Sequence, residues 1–397
     1  MVSNLEELLN KKSIIKDRNA LSPHFIPDNI LYRDSEIEAI ARTIAPVLKQ
    51  EKPKNLFIYG KTGTGKTTCA KYVIKKVSEV KERYNVNAEF HYLNCRVYDS
   101  RYKIMQNFLK NYYPEIEKSG FGLPYFYEKL IDALSQNKYI VLVLDEIDIV
   151  KDLDELIYTL IRINDEAKNG SLSIVGISNK LSFKTKLDPR SRSSLYETEI
   201  IFSPYDAIQL RGILEQRIKI AFEPNTIAGN AISLISAITA QENGDARYAL
   251  KLLHTAAEVA EQEGSNIVEE RHVENARRLV EYDIAAEAIK TLPLHHQLIL
   301  YALAKMTLNN KNRALVDEDG GYFFSGDLYD FYTKMCRQFY KKPKSARSYR
   351  DYINELESLG LVSTVFTSKG IRGHTRLIKI GHNAEDIVNI INKRFDL

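Results

Sequence analysis

The fold is decided by the stretch Asn55-Leu-Phe-Ile-Tyr-Gly60-Lys-Thr-Gly-Thr-Gly65-Lys66-Thr67. Its second half fits the pattern G-x-x-x-x-G-K-[ST], in which a glycine-rich loop binds phosphate groups through its backbone N–H groups. The apolar run before the loop is typical of a buried strand, and a helix-forming run follows from Thr68. In this context a chance match has a probability of about one in fifty or less. The sequence therefore predicts a phosphate-binding loop between a strand and a helix.

The loop pattern also predicts the roles of its side chains. We expect Lys66 to reach the β- and γ-phosphates of a nucleotide and the Thr67 hydroxyl to bind Mg²⁺. The remaining residues predicted to bind the cofactor from this loop are Gly60, Thr62, Gly63, Thr64, Gly65 and Thr68.

A second apolar run, Tyr139–Leu144, is followed by Asp145-Glu146-Ile-Asp148. An apolar run that ends in two acids is common, and it gains meaning only because the glycine loop is also present. We expect Asp145 to hold the magnesium shell and Glu146 to polarise the attacking water. Asp148 is predicted to be a helix cap rather than a ligand.

Five short apolar segments alternate with stretches of helical periodicity such as Thr67–Lys81 and Asp154–Asn164. Strands that alternate with helices predict an α/β domain with a doubly wound parallel sheet. The five segments are Asn55–Tyr59, Glu89–Leu93, Tyr139–Leu144, Leu172–Ile177 and Glu199–Phe202.

The strand signals stop at Pro204, and the rest of the chain divides into two further predicted domains. Three or four amphipathic helices run to about Tyr282 and predict a small helical domain. From Ala286, three helical patterns precede two β-branched runs, Leu361–Thr367 and Thr375–Ile380, which predicts an α+β winged-helix domain. The predicted boundaries are 1–203, 204–285 and 286–397.

Composition excludes several classes of protein. With 44% hydrophobic and 27% charged residues the chain should fold, and no apolar run approaches the roughly 18 residues of a membrane span. The first twelve residues lack the features of a secretory signal, so we expect a cytoplasmic protein without a membrane partner. The three cysteines, Cys69, Cys95 and Cys336, are too widely spaced for a disulfide framework and are predicted to be buried.

The positive charge is concentrated near the C-terminal end. Residues 1–285 carry a net charge of −1, whereas residues 286–397 hold 17 Lys and Arg against 12 Asp and Glu. The run Arg337–Arg350 contains six basic residues and no acid, and it leads into an amphipathic helix. Such a run is either a solvated basic face or a polyanion-binding surface. The predicted DNA-binding residues are Lys344, Arg347 and Arg350 near the helix, with Lys369 and Arg372 at the glycine-flanked tip of the ribbon.

Taken together, these motifs resemble those of the AAA-plus ATPases. Ser173-Ile-Val-Gly-Ile-Ser-Asn179 is similar to that family's fourth strand, which implies that Asn179 senses the γ-phosphate. The resemblance also implies that an arginine, either Arg190 or Arg192, serves the nucleotide of a neighbouring subunit. Gly244-Asp-Ala-Arg247 resembles the motif that places an arginine near the γ-phosphate, while Arg247 on physical grounds alone could be a solvated residue.

The segment Ile201–Arg217 resembles the family's hinge into its helical lid. The resemblance implies that Tyr205 packs against adenine and that Arg217 lines the nucleotide pocket, although Tyr205 could equally be a core residue. A phosphate-loop AAA-plus domain, a helical lid and a winged helix in this order resemble the archaeal replication initiators related to eukaryotic origin-recognition and cell-division-cycle proteins.

Membership in that group implies a weak ATPase that binds ATP or ADP with Mg²⁺ and uses nucleotide state as a switch. The implied partners are double-stranded origin DNA, paralogous initiator subunits and the minichromosome maintenance helicase, and the implied location is the cytoplasmic nucleoid. Two other functions remain open: a clamp-loader-like machine, and an ATP-gated transcription regulator whose winged helix binds promoters.

The crossover between the second and third predicted strands has 45 residues, 94 to 138, which is longer than one helix requires. Initiators of this type carry an inserted helix there that touches DNA, and the resemblance places it at about Phe108–Tyr127. Its seven aromatic residues either contact DNA or pack against the sheet.

Overall fold

The computed structural model describes residues 13–118, 120–180, 182, 187–309, 321–366 and 376–395. The chain forms two compact units, one that ends at Val273 and one that begins at Glu274.

The first unit is built on a five-stranded sheet whose neighbouring strands all run parallel. The three inner strands have almost entirely buried side chains, which explains why the sequence shows them as continuous apolar runs. All five predicted strands are confirmed, and their order across the sheet is β2-β3-β4-β1-β5. The strands are β1 (Asn55–Gly60), β2 (Ala88–Asn94), β3 (Tyr139–Asp145), β4 (Ser171–Ser178) and β5 (Glu197–Phe202).

Helices connect these strands and cover the sheet. The helix after the phosphate loop begins directly after Gly65, which has a left-handed backbone with φ of 94°. The α-helices that the structure describes in this part are α1 (Asp34–Ile44), α2 (Lys66–Tyr84), α3 (Arg101–Leu109), α4 (Leu123–Ser135), α5 (Leu153–Glu166) and α6 (Pro189–Ser194).

The crossover contains an additional helix, as predicted, but the predicted span Phe108–Tyr127 is wrong. The crossover contains two helices, α3 and α4, and the predicted span covers the end of the first, a loop with a short helical turn at Pro114–Glu117, and the start of the second. Prolines explain the difference, because Pro114 and Pro124 each stand at the start of a helical segment, where a missing N–H is tolerated. Phe108 and Phe126 are buried, and the other five aromatic rings pack partly buried against the same core.

Four helices follow the sheet, as the sequence predicts. The first of them is closed at its start by a capping box between Asp206 and Gln209. They are α7 (Ala207–Ala221), α8 (Gly229–Glu242), α9 (Ala246–Gln262) and α10 (Glu270–Thr291), and the division between the two units falls within α10.

The second unit packs helices against a small antiparallel sheet of order β6-β8-β7. This is the predicted winged-helix arrangement, with α13 begun by a Ser345 side chain that accepts a hydrogen bond from the backbone of Ser348. Strand β6 and the final helix are not predicted by the sequence patterns above. The elements are α11 (Leu294–Asn309), β6 (Phe323–Phe324), α12 (Ser325–Gln338), α13 (Ala346–Ser358), β7 (Val362–Phe366), β8 (Arg376–Ile380) and α14 (Ala384–Phe395).

The predictions about the cysteines and about a membrane span can be compared with the structure, whereas those for two DNA-binding residues cannot. Cys69, Cys95 and Cys336 are buried, as predicted. Lys369 and Arg372 lie outside the described residues. Among the helices that the structure describes, none combines the length and the hydrophobicity that a membrane crossing requires.

Candidate nucleotide and nucleic-acid sites

The phosphate loop is packed so closely that two of its glycines have no room for a side chain. Gly63 has φ of 68°, and a Cβ there would collide with the carboxylate of Asp245. Gly65 has φ of 94°, and a Cβ there would lie 2.7 Å from the Tyr205 hydroxyl. Both positions therefore require glycine for backbone conformation and for space. The loop touches residues of the lid on both of these sides.

Lys66 is a buried cation whose partners are all uncharged. Its Nζ donates to the carbonyls of Gly60 and Lys61 at 2.7 and 2.6 Å, and to Asn179 Oδ1 at 2.8 Å. Burial, together with the nearby charge of Arg247, lowers the pKa of Lys66 to about 8. Among the described residues no carboxylate lies at hydrogen-bond distance from the Lys66 ammonium, so the site favours an anion such as a phosphate group.

Thr67 and Asp145 are adjacent, as the sequence predicts for a metal site. The Thr67 hydroxyl donates to Asp145 Oδ2 at 2.9 Å, and the Tyr92 hydroxyl donates to the same oxygen at 2.6 Å. A hydroxyl and a carboxylate are hard oxygen ligands of the kind that Mg²⁺ binds, usually together with phosphate oxygens and water. The residues present therefore fit Mg²⁺. Tyr92, which sequence reasoning missed, orients the carboxylate.

Glu146 is held by an arginine that sequence reasoning also missed. Arg96 donates from Nε and Nη2 to Glu146 Oε2 at 3.0 and 2.8 Å, and the Arg96 side chain is 71% exposed. Glu146 itself has a left-handed backbone with φ of 56°, an unfavourable conformation for this residue type that is often found at functional positions. Arg96 follows β2 at the sheet edge where Asp145 ends β3, so the pairing of these two strands brings Arg96 to Glu146.

Asn179 and Asp148 follow the ends of neighbouring strands. Asn179 contacts Lys66 and lines the same cavity, which is the position expected of a residue near the terminal phosphate. Asp148 is not a helix cap, so that prediction is wrong. Its Oδ1 accepts a hydrogen bond from the Ser178 hydroxyl at 2.9 Å and thereby fixes the turn that precedes Asn179.

The lid presents the start of α9 to the phosphate loop. The Asp245 side chain accepts from the backbone N–H of Arg247 at 2.8 Å and caps the helix, while the Ala246 N–H donates to the Gly63 carbonyl at 3.2 Å. Arg247 lines the cavity, close enough to Lys66 to influence its pKa. The positive end of the helix dipole adds to these two cations. The role of Asp245 was missed, although it stands within the motif quoted above.

Arg217 and Tyr205 lie toward the other end of the cavity. Arg217 is 6% exposed, its guanidinium lies 4.5 Å from the centre of the Phe25 ring, and Nη2 donates to the Phe25 carbonyl at 3.1 Å. Its Nε and Nη1 are buried without a hydrogen-bond partner among the described residues, and burial lowers its pKa. Tyr205 borders the cavity but is 5% exposed and stacks beneath the Arg33 guanidinium at 4.1 Å. Its geometry is that of a core residue that also lines the site.

These residues enclose one cavity of about 310 Å³, which suits a nucleotide. Three parts of the first unit form its walls: the segment before α1, the loops at the carboxyl ends of the strands, and the lid. Of the predicted residues, it is lined by Thr62, Gly63, Gly65, Lys66, Thr67, Thr68, Asp145, Glu146, Asn179, Tyr205, Arg217 and Arg247.

Arg190 and Arg192 lie elsewhere. Both are exposed on α6, and neither belongs to the described residues that line the cavity of their own chain. Gly60 and Thr64 support the loop from behind: the Thr64 hydroxyl donates to the Lys61 carbonyl at 2.9 Å.

The basic run of the second unit is exposed. Lys344, Arg347 and Arg350 are solvent-accessible at the start of α13, whereas Tyr349 and Ile353 on the same helix face the core. Among the described residues none of these three cations forms an ion pair within the chain. This separation of faces is what a recognition helix requires.

Comparison with known proteins matches all three parts of the chain. Family models match an AAA domain at residues 49–182, a Cdc6 AAA+ ATPase-type lid domain at 211–278 and a CDC6 C-terminal winged-helix domain at 287–390. The ORC1-type DNA replication protein of Pyrococcus furiosus is 39% identical over 98% of this chain and 92% of its own length. ORC1-type DNA replication protein 1 of Archaeoglobus fulgidus is 38% identical over 94% of this chain and 90% of its own.

Solved structures agree with these relatives. The Aeropyrum pernix ORC1 protein, described in complex with DNA, aligns with a TM-score of 0.81 and 33% identity over 96% of this chain and 98% of its own. Cdc6p from Pyrobaculum aerophilum shares the fold, with a TM-score of 0.60 and 22% identity over 97% of this chain and 99% of its own. The predicted fold class and the resemblance to archaeal initiators are confirmed. The chain is an AAA+ ATPase that belongs to the family of ORC1-type DNA replication proteins.

Proposed function

We propose that this protein is a replication initiator that binds double-stranded origin DNA and uses ATP binding and slow hydrolysis as a switch. The observation that carries the proposal is the similarity over nearly the whole chain to a DNA-bound ORC1 protein. The cavity and the exposed basic run supply the two binding activities that such a switch requires.

In the proposed site, ATP is the substrate and its phosphates lie along the loop. Lys66 leaves its carbonyl partners to bind the terminal phosphates, with Asn179 and Arg247 beside it. Thr67 and Asp145 would hold Mg²⁺, which when bound neutralises phosphate charge. Glu146 orients the attacking water and accepts its proton as ADP and phosphate form. Arg217 and Phe25 form the wall for the base.

The Arg96–Glu146 pair supports slow hydrolysis. Two hydrogen bonds from Arg96 hold the Glu146 carboxylate in one orientation, so that it is not free to turn toward an attacking water molecule. The chain therefore remains for a long time in its ATP-bound state, which suits a switch better than a processive machine.

On the DNA side we propose Lys344, Arg347 and Arg350 as phosphate or base contacts, with Lys369 and Arg372 added from the sequence alone. We further propose that Arg190 or Arg192 serves the nucleotide of a paralogous subunit, since both are exposed on α6. Recruitment of the minichromosome maintenance helicase and a cytoplasmic, nucleoid-associated location complete the proposal. The boundaries 1–203, 204–285 and 286–397 are supported by family matches at 49–182, 211–278 and 287–390.

Genome-wide footprinting of the protein in its own cells tests the initiator function. We expect a few strong sites that coincide with the start points of nascent DNA strands. Sites spread over many promoters, with none at a replication start, would instead favour the ATP-gated transcription regulator.

A further inference from the structure

Tyr340 stands in the loop between α12 and α13, and its side chain is directed into solvent. It is 97% exposed, more than any other large hydrophobic residue of the described chain. Most exposed apolar residues need no explanation, because a protein surface is more than half apolar. Tyr340 does need one, because its backbone conformation is also unfavourable.

The backbone at Tyr340 has φ of 53°, which lies in the left-handed region. The Lys341 N–H donates to the Cys336 carbonyl at 2.8 Å and the Tyr340 N–H to the Arg337 carbonyl at 3.1 Å. These two bonds form the motif that commonly ends a helix, and glycine is the usual residue at the left-handed position. A tyrosine there is strained, and packing of its ring does not compensate for the strain.

Two other tyrosines with left-handed backbones provide the comparison. Tyr32, with φ of 60°, packs its ring against Gly212. Tyr196, with φ of 40°, has the Lys54 ammonium 5.1 Å from its ring centre. In the part of the chain that the structure describes, the Tyr340 side chain makes neither a hydrogen bond nor a ring contact. Of these three tyrosines, only Tyr340 has no contact within the described chain that would offset its backbone strain.

The loop holds Tyr340 in a fixed position. At its far end the Tyr329 hydroxyl donates to the Lys344 carbonyl at 2.9 Å, and the Lys344 N–H donates to the Tyr332 hydroxyl at 3.1 Å. Lys341, Lys342 and Lys344 are exposed in the same loop, and the run Arg337–Arg350 contains no acid. An exposed aromatic ring on a fixed backbone can pack against the sugars of a nucleic acid, while the neighbouring lysines, which form no ion pair among the described residues, bind its phosphates.

We propose that Tyr340 packs its ring against double-stranded DNA while the lysines beside it bind phosphates. The proposal rests on the DNA-binding function proposed above and adds an uncharged contact outside the recognition helix. The contact positions the winged helix, because the loop leads directly into Ser345, which caps α13.

The test uses the full chain and a short fluorescein-labelled duplex of mixed sequence, with anisotropy measured at several salt concentrations. Tyr340→Gly should weaken duplex binding about fivefold or more, because the apolar area that the ring buries against the duplex is lost. The dependence of affinity on salt should not change, because no charge is removed. The thermal midpoint should be no lower than that of the wild type, because the variant removes backbone strain. Tyr340→Phe should retain the affinity, because the ring is the contact.

Tyr196→Gly is the matched control, since it relieves the same type of backbone strain at an exposed tyrosine outside the basic run. It should bind duplex like the wild type. Unchanged binding by Tyr340→Gly would overturn the inference, as would a loss of the same size in Tyr340→Phe. The double variant Arg347→Ala/Arg350→Ala separates the two proposals. If the wild type binds the duplex and this variant alone loses affinity, the DNA-binding function holds. The role of Tyr340 then fails. If the wild type does not bind, the proposed function itself fails.

Discussion

The cavity of the first unit and the basic run of the winged helix both carry positive charge, but their cations are held in opposite ways. Lys66 is 6% exposed and is bonded to three oxygens of its own chain, and Glu146 is held by Arg96. Lys344, Arg347 and Arg350 are exposed and, among the described residues, have no internal ion pair. The cations of the cavity are therefore fixed in position, as selection of a ligand by shape requires, whereas those of the basic run would act through long-range attraction.

The largest expected effect concerns the division of roles inside the cavity. Lys66→Ala should abolish detectable ATP binding, whereas Glu146→Gln should keep ATP affinity and lose hydrolysis about 100-fold or more, since only the latter removes a general base. Isothermal titration and phosphate release measure the two. Lys61→Ala, in the same loop, is the control. Lys61 contacts Lys66 through its backbone carbonyl, which the substitution keeps. Equal loss of ATP affinity in Lys66→Ala and Glu146→Gln would contradict the assignment.

Salt should separate the two sites most directly. If three phosphates are contacted, a fourfold increase in salt should weaken duplex binding about 40-fold, and Arg347→Ala or Arg350→Ala should each reduce the salt slope by about 1. ATP affinity should change far less, because buried charges are screened weakly. Anisotropy and calorimetry on one preparation provide both curves. Arg278→Ala, an exposed arginine outside the basic run, serves as the control. If the affinities for ATP and for DNA fell equally with salt, the contrast between a buried and an exposed site would be wrong.

The pH dependence of ATP affinity should sharpen the contrast between the two sites further. Because burial lowers the pKa of Lys66 to about 8, the free chain loses this proton as pH rises above 8, and ATP affinity should fall by up to about tenfold per pH unit. The free energy of unfolding without nucleotide should rise over the same range, because the unfolded chain then binds more protons than the folded one. Titrations between about pH 7.5 and 9.5 test both directions. Lys66→Arg, which keeps its charge, should show neither trend; a flat wild-type profile would refute the buried-cation account.

The smallest expected effect concerns Arg96, the exposed arginine that holds Glu146. Arg96→Ala should raise the rate of ATP hydrolysis about threefold, because it releases the Glu146 carboxylate to orient water. Steady-state phosphate release measures the rate of hydrolysis. The affinity for ATP should not change. Arg101→Ala, which lies just beyond on α3, is the control. A slower rate in Arg96→Ala would mean that Arg96 assists the reaction.

The strands and the phosphate loop were predictable because buried parallel strands appear as continuous apolar runs and the loop has a fixed spacing. The Arg96–Glu146 pair required knowledge that β2 lies next to β3, which the crossover length does not specify. The missed helix α14 had readable signals, since Asn383 caps it through the Glu385 N–H and Ile387 and Ile391 share one buried face. The error at Phe108–Tyr127 arose because the prolines there were interpreted as breaks within one helix, whereas each begins a separate helical segment.

The segment before α1 has a consequence for selectivity among nucleotides. Ile15 bridges to Phe222, Ser13 and Ile14 bond to Glu261, and Pro23 to Leu31 contributes apolar wall to the cavity. None of the loop residues that hold phosphates belongs to this segment. A chain shortened to begin at Arg33 would therefore keep the residues proposed to hold a triphosphate and lose much of the surface proposed to contact a base, so that ATP, GTP and inorganic triphosphate should compete on nearly equal terms.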